Sequence, residues 1–303
     1  MDALSLDQFM VFVAIVDAGS FSAAARHLNR AQSAITYTIR KLEDQLQIEL
    51  FDRNSYRPTL SPAGTALLPR ARRILAEVDA FRSQAGGLSR GLEAELTIVI
   101  DSMAPITVAV EMLAGLRLQY PSVQTRVLVE TLGVASHAVL SGRADIGILT
   151  AFASDTPALT RAPVGEISLV PVAAPTHPLA LLGHPLDADD MRDHLQLVLT
   201  DRSELTAGRD YGVAAIATWR IADLGAKHAL LLAGIGWGSM PAHMVRDDIA
   251  AGRLVTLAVR SWDGAAGLPT LPLVVARRAD TAPGPAGRWF MELAERQTLT
   301  PGG

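Results

Sequence analysis

Apolar positions along the first ninety residues recur at helical spacing. Residues 6–17 are almost entirely apolar and stop before Gly19, which predicts a first helix. Residues 23–28 continue as a second, short helix, with Ser22 as its expected N-cap. A third predicted helix places four apolar residues on one face: Ile35, Ile39, Leu42 and Leu46. Two helices joined by a short turn are typical of a helix-turn-helix.

Two short segments after the third helix predict a hairpin. Residues 50–53 and 57–60 are separated by three residues, as expected for two short strands joined by a turn, and this hairpin would be a wing. Ser61 then offers a helix N-cap, and Pro62 suits the first position of a helix. We therefore expect a long helix to begin at Pro62.

The long helix carries apolar residues at alternating spacings of four and three. Such a heptad pattern is typical of helices that pair along a seam. A helix packed into the core of its own domain is the alternative, but the charged residues beside the seam favour an exposed helix that pairs with a second copy. The seam consists of Leu67, Ala71, Ile74, Val78, Phe81, Ala85 and Leu88.

Beyond Gly86 and Gly87, short apolar strands alternate with helices, which is typical of an α/β fold. The predicted strands are residues 96–100, 125–129, 146–149, 167–173, 195–199 and 271–275. The predicted helices are residues 105–119, 135–140, 225–233 and 287–297.

Composition narrows the possible classes of protein. The chain is 49% hydrophobic and 19% charged, as expected for a globular protein. It contains no Cys, which excludes disulfides, thiolate metal sites and a thiol redox sensor. The net charge is -4, yet residues 1–90 hold 11 basic against 9 acidic side chains. Because the first third of the chain is the more basic part, we expect a nucleic-acid partner to bind there.

The amino-terminal segment lacks the basic start and small-residue cleavage site of a signal peptide. No apolar stretch reaches the roughly 18 residues that a membrane helix needs. We therefore expect a cytoplasmic protein without a membrane partner.

The motifs of the first third resemble those of the LysR-type transcriptional regulators. The resemblance spans essentially the whole chain and is carried most specifically by residues 21–28, 32–36, 39–43, 50–53 and 60–64. Residues 142–146, 177–180, 233–236 and 252–255 agree more loosely. Two positions depart from the family pattern: Ala31 replaces the usual Ser or Thr cap, and Tyr37 replaces a frequent basic residue.

The resemblance implies three parts. These are a winged helix-turn-helix DNA-binding domain at 1–61, a linker dimerisation helix at 62–91, and an effector-binding domain at 92–303. The effector domain would comprise two α/β subdomains, as in periplasmic binding proteins: residues 92–163 with 268–303, and residues 164–267. The implied partners are a double-stranded DNA operator, a small-molecule effector of unknown identity, a second copy of the chain in a dimer or tetramer, and RNA polymerase as a further candidate. No cofactor is expected.

The third helix carries the expected DNA-reading residues. Its amino end presents Gln32, Ser33 and Thr36, and Gln can bridge two atoms of adenine in the major groove. A lone Gln on a helix is usually only solvated, but the motif favours base contact. The hydroxyl of Tyr37 can reach a phosphate. The candidate phosphate contacts, each of which could equally be an ordinary solvated Arg, are Arg30, Arg40, Arg53 and Arg57.

Ligands of α/β folds bind where strands end and helices begin. Ser102 follows a predicted strand and matches a family position that often touches the effector, although it could instead cap the next helix. We expect a small anionic effector, held by Ser102 and helix-terminal backbone N–H groups. The other candidate lining residues are Met103, Thr150, Phe152, Thr200, Asp201, Gly236 and Trp237.

Catalytic motifs are missing from the sequence. Gly234, Gly236 and Gly238 lack the strand, spacing and downstream acid of a dinucleotide site, and the seven His residues show no metal-ligand spacing. We therefore expect a regulator and not an enzyme. The alternative is a small-molecule binding protein or an α/β enzyme whose first helices serve only for assembly, and salt-dependent binding to its own promoter would distinguish the two.

Overall fold

The chain divides into two compact units, Met1–Ser89 and Arg90–Gly303, which we call the helical unit and the α/β unit. The computed structural model describes residues 4–52, 58–89, 91–150, 156–200, 202–203, 205, 212–260 and 270–298.

The described residues of the helical unit form four helices and a two-stranded hairpin, in the order that the sequence predicts. Helix α1 ends where Gly19 adopts a left-handed backbone with φ 68°. Ser20 caps α2 by accepting a hydrogen bond from the Ala23 amide, so the expected Ser22 cap is wrong. The elements are α1 Leu6–Ala18, α2 Phe21–His27, α3 Gln32–Leu46, β1 Phe51–Asp52, β2 Thr59–Leu60 and α4 Pro62–Ser89.

The core of the helical unit fixes the orientation of α3. Ile35, Ile39 and Leu42 are buried, as their spacing predicts. They share one core with Phe12 of α1 and Phe51 of β1, whose rings meet edge to face at 5.7 Å. Because one face of α3 is buried in this way, its opposite face is turned outward.

Two polar contacts attach the hairpin to the helices. The buried Glu43 carboxylate accepts the backbone N–H of Leu50 at 2.8 Å, where β1 is about to begin. Ser61 caps α4 by accepting from the amide of Gly64. A Cβ atom at Gly64 would lie 2.1 Å from the Leu50 carbonyl oxygen, so this close approach requires glycine.

The heptad seam of α4 divides into two parts. Its first residues, Leu67 and Ala71, pack in the core of the helical unit. Further along, Ile74, Phe81 and Leu88 are exposed, and the Phe81 side chain is 73% exposed. Core packing therefore explains the start of the seam but not its second half.

The strands of the α/β unit hydrogen-bond in the order β4-β3-β5-β11-β6-β9-β7-β8, with β10 beside β6. Strand β6 is shared, because it pairs with β11 as far as Ser168 and with β9 from Leu169 onward. It thereby joins a first and a second α/β subdomain. The strands are β3 Glu95–Asp101, β4 Gln124–Glu130, β5 Ile146–Thr150, β6 Leu159–Ala173, β7 Gln196–Leu199, β8 Thr218–Ile221, β9 Trp237–Pro241, β10 Val255–Thr256 and β11 Thr270–Arg278.

The helices of the α/β unit include the four that the sequence predicts. They are α5 Ile106–Gln119, α6 Gly133–Leu140, α7 Pro178–Leu181, α8 Ala188–Arg192, α9 Leu224–Leu232, α10 Ala242–Ala250 and α11 Pro285–Thr298. Among the described residues, no single helix has the length and apolar character to cross a membrane. Helices α1 and α2 pass that test only as a pair bent by 115°.

The buried carboxyl group of Asp101 connects two parallel strands where they end. It lies at the end of β3, accepts the amide of Met103 at 3.0 Å and accepts the hydroxyl of Thr150 at the end of β5. Burial raises the pKa of Asp101 from 3.8 to about 6, although these hydrogen bonds oppose the shift. The folded chain therefore binds a proton that the unfolded chain releases between these pH values.

This proton uptake predicts how the stability of the α/β unit depends on pH. The stabilisation is fully present below pH 3.8 and is lost as pH rises through about 6. We expect the free energy of unfolding of the wild type, relative to Asp101→Asn, to fall by about 3 kcal/mol across this window. Urea unfolding can be followed by tryptophan fluorescence, because all four tryptophans lie beyond residue 90. A difference that stays constant across the window would contradict the raised pKa.

Candidate functional sites

The outward face of α3 is polar. Gln32, Ser33, Tyr37 and Arg40 are exposed, and Thr36 is partly exposed. Tyr37 is 69% exposed. The N-cap residue Ala31 makes no side-chain hydrogen bond to the first turn. This end of α3 therefore offers side-chain donors and acceptors together with backbone N–H groups, which suit base edges and phosphates respectively.

The candidate phosphate contacts differ in their surroundings. Arg30 pairs with Asp7 at 2.6 Å, so a phosphate would have to compete with that carboxylate. Arg40 is exposed and forms no ion pair with any described residue. The Thr36 hydroxyl donates to the carbonyl of Gln32 at 3.0 Å, but its oxygen can still accept. Arg53 and Arg57 lie outside the described residues.

A second site lies where the two α/β subdomains meet. It is a cavity of about 60 Å³ with a mainly apolar wall. Met103, expected from the sequence, lies in its wall on the side of the first subdomain. The complete lining among the described residues is Met103, Leu132, Leu169, Gln196, Leu197, Val198, Leu199, Gly212, Leu224, Lys227, Ser239 and Pro241.

A pair of hydroxyl groups connects the subdomains beside this cavity. The Thr131 hydroxyl donates to the carbonyl of Ala222 across the junction at 3.1 Å. Since that hydroxyl has only one hydrogen, Ser102 is the donor in the 3.2 Å contact between Ser102 and Thr131. Ser102 does not cap α5, because the N-cap position is Pro105. The side chain of Ser102 thus supports a contact between the subdomains.

The backbone N–H groups around Ser102 are already used. The amide of Ser102 donates to the Glu130 carbonyl at 2.8 Å, and the amide of Ala104 donates to the Asp101 carbonyl at 2.8 Å. The Met103 amide donates to the Asp101 side chain. Our expectation that these amides would hold an anion is therefore wrong. Their hydrogen atoms are committed to the turn after β3.

The remaining sequence candidates that the structure describes do not line the cavity. Trp237 is fully buried in a separate core of the second subdomain, and its indole N–H donates to the His194 carbonyl at 3.3 Å. Gly236 allows close approach to the Leu195 carbonyl and does not line the cavity. Thr150 is buried against Asp101. Thr200 follows the cavity residue Leu199, and its amide donates to the Ile221 carbonyl. The final two candidates, Phe152 and Asp201, lie outside the described residues.

Two residues of the cavity wall were missed by the sequence analysis. Lys227 of α9 is only 3% exposed, and burial lowers its pKa to about 8. Its Nζ atom donates to the carbonyl of Ser239 on β9 at 2.7 Å. The Ser239 hydroxyl is buried and has no hydrogen-bond partner. Lys227 could have been noticed in the sequence because the chain contains only two lysines.

The described residues contain no group of three or more His, Asp or Glu side chains placed to hold a metal ion. An exposed polar helix face in the helical unit can contact nucleic acid, and a polar pair inside an apolar cavity can bind a small molecule.

Both units match families of known proteins. Residues 6–65 match the family described as bacterial regulatory helix-turn-helix protein, lysR family, and residues 89–298 match the LysR substrate binding domain. The probable HTH-type transcriptional regulator YhaJ of Escherichia coli is 32% identical over 295 residues, which are 95% of each chain. The regulator AceR of Acinetobacter baumannii is 27% identical over 250 residues, which are 81% of this chain and 82% of AceR.

Solved structures show the same fold. A cysteine variant of OxyR from Corynebacterium glutamicum, bound to hydrogen peroxide, superposes with a TM-score of 0.52 at 22% identity. The match covers 99% of this chain and 96% of that chain. Two family matches over most of the chain and a full-length relative above 30% identity lead to one conclusion. The chain belongs to the LysR family of DNA-binding transcriptional regulators.

Proposed function

We propose that this regulator reads its operator with the outward face of α3 and that a small molecule in the cavity of the α/β unit controls the response. The observation that carries the proposal is the division of α3 into two faces. Ile35 and Ile39 are buried, while Gln32, Tyr37 and Arg40 are exposed. An α-helix that is held by one face can place the other in the major groove.

Within this surface, different residues have different tasks. Gln32 and Ser33 lie in the first turn of α3, where a recognition helix meets base edges. Arg40 lies two turns further along and has no ion pair with a described residue, so it suits a phosphate. Arg30 would have to give up its contact with Asp7 before it could do the same.

Self-association is the second element of the proposal. The exposed half of α4 forms an open apolar surface with Leu6, lined by Ile74, Val78 and Phe81 and flanked by charged residues. This surface continues the heptad pattern of the sequence. Pairing of two α4 helices would cover it and would present two copies of α3 to two DNA half-sites.

The third element is the effector. The cavity lies where two subdomains joined by β6 meet, so a ligand that favours one arrangement of these subdomains can change DNA binding through its differential affinity. No cofactor and no catalytic reaction are part of the proposal. At 22% identity, the likeness to OxyR extends to the fold alone. Because it acts on chromosomal DNA, we place the regulator in the cytoplasm; contact with RNA polymerase remains a prediction.

Substitutions on α3 separate base recognition from phosphate contact. We expect Gln32→Ala to reduce the preference for operator over random DNA by about 1 to 3 kcal/mol, because a bidentate base contact is lost. Arg40→Ala should weaken binding to both DNAs alike and reduce the salt slope by about 0.9, because one phosphate contact is lost. Both variants are titrated on both DNAs over a range of salt concentrations. An unchanged operator preference in Gln32→Ala would remove this residue from base recognition.

A charge in the exposed seam tests self-association. We expect Phe81→Asp to reduce the oligomer mass and the operator affinity, because an unpaired carboxylate cannot be buried between two helices. The monomer should tolerate the change, since Phe81 is mostly exposed. Ala76→Asp is the matched control: it is also exposed and lies on the opposite side of α4. Equal masses for the two variants in light scattering would rule out the seam as the interface.

A further inference from the structure

Lysine is nearly absent from this chain. Of its 27 basic side chains, 25 are Arg and only two are Lys. Lys41 is exposed on α3, as expected for a surface cation. Lys227, in contrast, is almost completely buried in the wall of the effector cavity. Burying an ammonium group costs free energy unless it is paired, so its position requires a physical reason.

The contacts of Lys227 within the fold are incomplete. Its ammonium group carries three hydrogen atoms, and one is donated to the Ser239 carbonyl at 2.7 Å. No carboxylate among the described residues pairs with it. Burial lowers its pKa to about 8, so the group is still mostly charged at neutral pH. A buried positive charge with unused donors therefore lies at the cavity.

Ser239 contributes a second unsatisfied group. Its hydroxyl is buried, has no partner and belongs to the same cavity wall. An ammonium group can only donate, and the hydroxyl can donate as well, so both would be satisfied by one acceptor with two oxygen atoms. The Gln196 side chain is not free to bind such an acceptor, because it already forms hydrogen bonds with the backbone of Gly212, Ala214 and Ala215.

The rest of the wall limits the charge and size of such an acceptor. Lys227 is the only ionisable residue among the described lining residues, so one negative charge is balanced and two are not. Met103, Leu132 and Leu169 supply apolar surface. An enclosed cavity of about 150 Å³ holds a benzene-sized molecule. The present 60 Å³ therefore suits a carboxylate group with a short apolar chain.

We propose that the effector is a small monocarboxylate whose carboxylate group is bound by the Lys227 ammonium and the Ser239 hydroxyl. This inference rests on the proposed role of the cavity as the effector site. A side-chain pair from α9 and β9 would thus bind the anion. The backbone amides of the turn after β3 are not available, because they are committed within the fold. The charge of Lys227 is then compensated when the ligand is bound.

The scarcity of lysine makes a direct test possible. Full-length chain labelled with ¹³C at the lysine ε carbon should give two lysine side-chain signals, which Lys41→Met and Lys227→Met assign. Acetate is titrated as the probe, with its neutral analogue acetamide and with chloride at equal ionic strength. We expect acetate alone to shift the Lys227 signal to saturation while the Lys41 signal stays in place. A Lys227 signal that acetate leaves unchanged, or that chloride shifts equally, overturns the proposal.

A second variant tests the hydroxyl contact. Saturation-transfer NMR on the acetate methyl group gives the affinity without a lysine reporter. We expect Ser239→Ala to weaken acetate binding about tenfold, as for a lost hydrogen bond to a charged group, and Lys227→Met to abolish it. Lys41→Met should bind as the wild type does. Unchanged tryptophan fluorescence of the variants shows that the α/β unit is folded. Wild-type affinity in Lys227→Met would overturn the site.

The two proposals fail in different ways. If acetate binds at Lys227 but no carboxylate alters operator binding, the anion site stands and the cavity loses its regulatory role. If another metabolite changes the operator complex while the Lys227 signal stays unperturbed, the regulatory proposal stands and the monocarboxylate site is overturned.

Discussion

A polar group removed from water must find a partner within the fold, and this constraint organises both units of the protein. The Glu43 carboxylate accepts a backbone N–H at the start of the hairpin. The Asp101 carboxyl group accepts hydrogen bonds at the ends of β3 and β5. The Lys227 ammonium has one hydrogen-bond acceptor, and the buried Ser239 hydroxyl has no partner. The groups that the fold satisfies explain its geometry, while the groups that it leaves unsatisfied are those to which we assign a ligand.

The same constraint separates the two faces of α3. Its apolar residues complete the core with Phe12 and Phe51, and the side chains of Gln32 and Arg40 have no polar partner among the described residues. The exposed side chains of Gln32 and Arg40 are accessible to solvent, and in our proposal they contact DNA. One face of α3 is therefore packed in the core and the other is exposed. Ala31, which provides no cap, leaves the first turn of α3 equally open.

Sequence reasoning succeeded where the relevant contacts are local. The spacing of Ile35 and Ile39 determines which face of α3 is buried, and Ser61 and Pro62 mark the start of α4. Only the second half of β6 was predicted, from residue 167 onward. The first half was missed because Thr160 and Arg161 interrupt its apolar pattern. Long strands with exposed polar positions lack the continuous apolar run that signals a buried strand.

The residues of the cavity wall could be identified only from the tertiary structure. Lys227 and Ser239 lie on α9 and β9, and only the packing of these two elements brings them together. Trp237 suggested a ligand contact because it stands between two glycines, yet its ring fills a separate core. The amides after β3 suggested an anion site, but they bond to Asp101 and Glu130.

A footprint of the full-length chain on the DNA upstream of its own coding region examines DNA recognition and ligand control together. It is recorded with and without small carboxylates at constant ionic strength. We expect protection of two half-sites separated by about 10 base pairs or a multiple of that distance, and an altered pattern when the cavity is occupied. Uniform protection of any DNA, or a specific footprint that no cavity ligand changes, would contradict a ligand-controlled regulator.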